Sequence, residues 1–146
     1  MAEPGDISEG TPETSMNSPV RILILDDEPA IAKTLTLILT GQGHSVNGFT
    51  NSQEALQHAA GKPPDIALLD FFVTGMTGIK VANELGKIAP HCRIILMSGA
   101  DDLEERAAEA KAAGVVSDLL VKPFPPQLLI ERVRTAAQAV RNFRAA

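Results

Sequence analysis

A chain of 146 residues, 45% of them apolar and 21% charged, has the length of one globular domain and the balance of an ordinary water-facing one. Its net charge is -5, and -4 of it sits in residues 1–19, where Glu3, Asp6, Glu9 and Glu13 stand without a Lys or Arg; the nearly neutral remainder argues against the clustered basic face of a general nucleic-acid binder. No apolar run reaches the roughly 18 residues of a membrane span, the amino terminus is the opposite of a secretory signal, and a single cysteine, Cys92, permits no intrachain disulfide and fits a reducing cytoplasm.

Residues 1–19 are too poor in apolar side chains to offset their ordering entropy and read as a disordered acidic leader. One domain is expected over residues 20–146. Val20–Leu25 is a β-branched and Leu run, as in a strand buried on both faces. Pro29 opens a helix whose Ile31, Leu35, Ile38 and Leu39 share a face, and Gly41 and Gly43 end it. His44–Phe49 is a weaker strand with Gly48 inside it, which suits a sheet edge. Asn51 or Ser52 caps a helix running to Ala60, and Gly61-Lys62-Pro63-Pro64 breaks it.

Ile66–Leu69 is the third strand and ends on Asp70. A loop through Thr74-Gly75-Met76-Thr77-Gly78 leads to a helix near Ile79–Lys87. Arg93–Met97 forms the fourth strand and ends on Ser98-Gly99; Asp101 or Asp102 caps an Ala-rich helix that stops at Gly114. Val115–Val121 is the fifth strand, followed by Lys122. Pro125 and Pro126 introduce a last helix with Leu129, Val133, Ala136, Val140 and Phe143 as its inward stripe. Its Arg132, Arg134, Arg141 and Arg144 read as a solvated face near the negative end of the dipole.

Strict alternation of strand and helix with short connections implies a doubly wound α/β fold, a five-stranded parallel sheet with helices on both faces. Such a sheet binds ligands outside the carboxyl ends of its strands. The residues at those ends are Asp26-Asp27, Asp70, Ser98 and Lys122. Each alone is unremarkable, since an Asp after a strand is usually a turn former. Together they place three carboxylates, a hydroxyl and an ammonium at one edge. Carboxylates so close repel one another unless a cation joins them, and Mg²⁺ is the natural candidate.

The blocks Ile24-Leu25-Asp26-Asp27-Glu28-Pro29, Leu68-Leu69-Asp70, Met97-Ser98-Gly99 and Lys122-Pro123-Phe124 resemble the signature blocks of response-regulator receiver domains, over about residues 20–144. The resemblance implies a flavodoxin-like sheet of order 2-1-3-4-5. It makes Asp70 the phospho-acceptor in a two-component phosphorelay. Asp27 and Asp70 would be direct Mg²⁺ ligands, Asp26 would hold metal-bound water, and the carbonyl of Phe72 would complete the site. Ser98 and Lys122 would contact phosphoryl oxygens, and the Lys122–Pro123 bond would be cis. The donor would be a sensor histidine kinase or a histidine phosphotransfer protein. His44, His58 and His91 read as incidental. The chain would then be no enzyme in its own right but an acceptor that assists its own phosphorylation and dephosphorylation. It would be cytoplasmic, with no direct contact to nucleic acid or membrane and with no output domain of its own, either a stand-alone regulator or a receiver excised from a longer protein.

Four departures bear on how the signal is read. Leu119 stands where the family usually carries the aromatic ring that, with the hydroxyl residue Ser98, forms its switch. Thr74 replaces a usual proline. Phe72 is bulky where small or polar side chains are common, and its ring is free to cover the approach of water. The loop from Gly114 to Lys122 is one residue longer. The fourth helix, fifth strand and last helix would form the surface that changes, and a homodimer would use the same surface. Three other readings compete with that of a receiver domain. A haloacid-dehalogenase-type enzyme needs Asp-x-Asp, but Phe72 fills the second position; turnover of a phosphomonoester would separate the two. A receiver-like module signalling without phosphate would not require Asp27, Asp70, Ser98 and Lys122 together. A flavodoxin-like nucleotide domain is disfavoured because Asp26-Asp27-Glu28-Pro29 would repel phosphate.

Overall fold

A computed structural model of the protein describes residues 18–146. In chain order the elements are β1 (Arg21–Leu25), α1 (Pro29–Gly41), β2 (Ser45–Phe49), α2 (Ser52–Gly61), β3 (Ile66–Asp70), β4 (Phe72–Val73), β5 (Met76–Thr77), α3 (Gly78–Ile88), β6 (Arg93–Gly99), α4 (Leu103–Ala113), β7 (Asp118–Lys122) and α5 (Pro126–Ala145). Five strands form one parallel sheet in the order β2-β1-β3-β6-β7, the doubly wound architecture expected.

Alternation along the strands sends successive side chains to opposite faces. Ile22, Ile24 and Leu68 join Leu35 and Leu39 of α1 and Leu129, Val133 and Ala137 of α5 in one core. Leu23, Leu25, Leu69 and Leu96 join Ala55 of α2, Val81 and Leu85 of α3 and Ala110 of α4 in the other. Full burial of each such Leu or Ile contributes about 1.5–3 kcal/mol. The weak strand β2 sits at the sheet edge, as its composition suggests. Asn51 caps α2 by accepting a hydrogen bond from the Glu54 amide at 3.0 Å.

Several expectations need correction. The stretch read as an open loop after Asp70 contains the antiparallel hairpin β4–β5, pairing Phe72 with Thr77 and Val73 with Met76. The fifth strand starts at Asp118, three residues later than expected, because residues 115–117 form the connection. Asp102 occupies the N-cap position of α4 without making a side-chain cap bond; its carboxylate lies 3.7 Å from Arg106 instead. Phe143 is exposed rather than inward, its ring lying 4.2 Å from that of His91.

The arginines of α5 are not simply solvated. Arg132 donates to both carboxylate oxygens of Asp118 at 2.8 and 2.9 Å, and Arg144 to Asp65 at 2.8 Å. Arg141 is buried and donates through Nε at 2.8 Å and through Nη2 to the carbonyl of Ser18. Only Arg134 among the four is exposed. Of the expected acidic leader, residues 1–17 lie outside the described residues. Ser18 and Pro19 are seated on α5 through Arg141 and Arg144.

Candidate functional site

All five strands of a parallel sheet point the same way, so the polar ends of β1, β3, β6 and β7 meet at one edge. The register sets Asp70 beside Met97, Ser98 beside Val121 and Gly99 beside Lys122. The Lys122 ammonium sits between two carboxylates, 2.6 Å from Oδ2 of Asp26 and 3.4 Å from Oδ1 of Asp70. Asp26 is fully buried, and its other oxygen accepts from the Glu28 amide at 2.9 Å. Its own amide donates to the carbonyl of Phe49 at the end of β2. The Lys122–Pro123 peptide bond is cis.

Burial pushes the Asp70 carboxyl above the usual carboxylate range, and the charges of Asp26 and Asp27 push the same way against the pull of Lys122. Burial alone would lower the Lys122 ammonium. The hydrogen bond to Asp26 and the charges of Asp70 and Asp26 outweigh it, and the group stands above its ordinary value.

Asp27 is turned elsewhere. Its Oδ1 accepts from the Thr74 amide at 2.9 Å and its Oδ2 from the Thr74 hydroxyl at 3.3 Å. The expected convergence of three carboxylates is therefore made by Asp26 and Asp70 around Lys122, with Asp27 tied to the hairpin. Among the described residues no three acidic, His or Cys side chains are grouped as a ready metal cage. The chemistry of the donors nevertheless fits a hard divalent ion. Three carboxylates that feel one another, against one ammonium, leave an uncompensated double negative charge on oxygen ligands.

Ser98 is buried, and its hydroxyl donates to the Gly99 carbonyl at 3.3 Å. Phe72 belongs to the hairpin, and its ring is exposed. Leu119 is half-buried against the core that holds Ala110 of α4. Its main chain is fixed on both sides: the amide donates to Asp118 at 2.8 Å and the carbonyl accepts from Arg132 at 3.2 Å.

The contacts of three residues around the site escaped the sequence reading. Gly78 packs so closely on β3 that a Cβ there would collide with the carbonyl oxygen of Asp70. Its position just inside a Thr-capped helix start was the available signal. Thr74 supplies both partners of Asp27, and no local pattern announces a contact across 47 residues of chain. Arg106 lies over the rings of Phe71 and Phe72. Its spacing of four and three residues from Asp102 and Glu109 could have pointed only to those helix-surface partners.

A profile of the family described as "Response regulator receiver domain" matches residues 22–134. The chain belongs to the response-regulator receiver family. This receiver domain is 34% identical over 119 residues to the chemotaxis protein CheY of Thermotoga maritima, a match covering 81% of this chain and 98% of that one. It is 29% identical over 116 residues to the probable transcriptional regulatory protein TcrX of Mycobacterium tuberculosis, covering 80% of this chain and 49% of that protein. The chain thus spans about half the length of several curated relatives it matches. Among solved structures, the receiver domain protein (CheY-like) from Methanospirillum hungatei JF-1 is 26% identical and superposes with a TM-score of 0.79, covering 86% of this chain and 98% of that one. Receiver domains of this family generally bind Mg²⁺. Among the described residues no helix is long and apolar enough to cross a membrane.

Proposed function

We propose that this receiver takes a phosphoryl group onto Asp70 from a phosphohistidine of a sensor kinase or phosphotransfer protein. The observation that carries the reading is the ammonium of Lys122 seated between Asp26 and Asp70 at the carboxyl edge of the sheet. A carboxylate oxygen of Asp70 attacks phosphorus, forming an acyl phosphate as the P–N bond of the donor breaks. The electron pair of that bond returns to the imidazole, which takes a proton from solvent.

Lys122 neutralises charge developing on the equatorial oxygens, in a site where Asp70 is largely shielded from water. Asp26 holds that ammonium in place through its 2.6 Å contact. Ser98 leaves the Gly99 carbonyl and donates to a phosphoryl oxygen. Asp27, Asp70 and the carbonyl of Phe72 would hold Mg²⁺ directly and Asp26 would do so through water; when bound the ion neutralises the remaining phosphoryl charge. The domain assists its own phosphorylation and dephosphorylation. The surface of α4, β7 and α5 carries the change to a downstream protein or a second copy, in the cytoplasm and without direct contact to nucleic acid.

Mass spectrometry after incubation with Mg²⁺ and acetyl phosphate tests this. One added phosphoryl group is expected, absent from Asp70→Asn. Undiminished labelling of that variant would move the acceptor elsewhere.

A further inference from the structure

The first two residues after Asp70 are both aromatic, and both are covered by a cation from another element. The guanidinium carbon of Arg106, on α4, lies 4.1 Å from the ring centroid of Phe71 and 4.9 Å from that of Phe72. The two rings meet edge to face, with centroids 4.8 Å apart and planes at 79°. This is no solvated arginine: its side chain is 17% exposed, and its Nε is buried without a hydrogen-bond partner. Nη1 is held at 2.6 Å by Glu109 and Nη2 lies 3.7 Å from Asp102, both on the same helix turns. A guanidinium that leaves a buried donor unused while lying over two rings is being held there by the rings and the flanking carboxylates.

The two rings differ in what they can do. Phe71 is buried, its amide bonded to the Met97 carbonyl at 2.9 Å and its carbonyl to the Gly78 amide at 2.7 Å, so it is a fixed floor. Phe72 is 57% exposed and can leave unless something retains it. It opens the hairpin that carries Thr74, and Thr74 holds both oxygens of Asp27. A continuous physical path therefore runs from α4 through Arg106 and Phe72 to Thr74 and Asp27.

We propose that Arg106 is a positioning residue for the Asp70 site, acting through Phe72 to clamp the acceptor hairpin to α4 and so set how fast the phosphoryl group is lost. The proposal rests on Asp70 being the acceptor. Removing the clamp frees the Phe72 ring and loosens the hairpin, which admits water to the acyl phosphate.

The test measures first-order loss of the label after loading with acetyl phosphate and Mg²⁺ and removing the donor. Arg106→Ala is expected to shorten the half-life by about three- to tenfold, the size of one cation–aromatic contact. Arg106→Lys, which keeps the charge but not the planar stack, should fall between the two. Phe72→Ala should accelerate loss to a similar extent, and adding Arg106→Ala to it should change nothing further, since residues acting through one contact are not additive. Urea unfolding checks that each variant is folded. In the wild type, ring currents should shift the Arg106 side-chain protons upfield, and Phe72→Ala should reduce that shift.

An unchanged half-life in folded Arg106→Ala, or full additivity with Phe72→Ala, overturns the proposal while leaving the acceptor assignment intact. If Arg106→Ala does not fold, a wild-type half-life in Arg106→Lys overturns it. Failure of the wild type itself to take up phosphate removes the acceptor assignment, and the positioning role with it.

Discussion

Replacing Gly78 with Ala pits two effects of opposite sign against each other. Gly78 is the first residue of α3, behind the Thr77 cap, whose hydroxyl accepts from the Lys80 amide at 3.2 Å. Its φ is not positive, so no backbone strain forbids a side chain. On conformational grounds alone, Gly→Ala in a helix stabilises by up to about 1 kcal/mol. Against that, a Cβ would strike the Asp70 carbonyl oxygen and lie 3.1 Å from its carbon and 3.0 Å from Cδ1 of Leu96. The first two are backbone atoms of a central strand, and Phe71, the next residue, is hydrogen-bonded to Met97. They cannot turn aside as a flexible side chain would. Overpacking of this kind costs about 1–3 kcal/mol, so the clash wins and a net loss of about 1–2 kcal/mol is expected. Gly86, in the same helix, is the control: a Cβ there would meet only Cγ1 of Val115 at an ordinary 3.8 Å. Gly86→Ala should gain about 0.5–1 kcal/mol. Urea midpoints at a constant m-value read both signs, with melting shifts of about 2–6 °C. A Gly78→Ala protein as stable as wild type would show that β3 yields freely, and the close-approach argument would fail.

Asp27→Ala should abolish labelling by acetyl phosphate while the domain stays folded; labelling at the wild-type rate in chelator-treated buffer would refute a metal role for Asp27. His44 is held below its usual pKa by burial and then by Arg141, and its Nδ1 is buried without a partner. Above about pH 6.5 it is neutral folded or unfolded, so stability should be flat there on its account. As pH falls below that value the unfolded chain takes up the proton first and stability drops until the folded pKa is reached; His44→Gln should lose that slope, measured by urea unfolding from pH 7.5 to 5. Cys92 is pushed up to about 12 by burial and then by Asp65, so iodoacetamide at pH 8 should label it slowly in the native protein and readily in urea; fast native labelling would contradict this burial. With a phosphoryl mimic bound, amide NMR shifts should spread from the Asp70 loop to Leu119 and residues 101–113. Since Leu119 has a smaller side chain than an aromatic ring, the coupling should lie at the low end of about 1–3 kcal/mol, and shifts confined to the Asp70 loop would show that this face is not the output.

The sequence by itself determined the sheet, its alternation with helices and the polar residues at the strand ends. The reason is that these are local properties. Runs such as Ile22–Leu25 and Ile66–Leu69, short and bounded by turn residues, suit strands covered on both faces, and in a parallel sheet the residues that follow them share an edge. That Asp26, Asp70 and Lys122 share this edge follows from the strand order, but the seating of the Lys122 ammonium between Asp26 and Asp70 is made by tertiary packing. Where a side chain's partner lay far along the chain, the local signal was silent or misleading. Asp27 reads as a third member of the carboxylate group, yet Thr74, 47 residues on, takes both its oxygens. Arg132, Arg141 and Arg144 look like a solvated helix face until Asp118, Ser18 and Asp65 are folded against them. The demand for glycine at position 78 exists only once α3 lies on the Asp70 carbonyl, and the clasp of Arg106 on Phe71 and Phe72 only once α4 docks beside the hairpin. Periodicity records which face of an element is apolar. It does not record which atom of a distant element will arrive there, and that choice was left to tertiary packing.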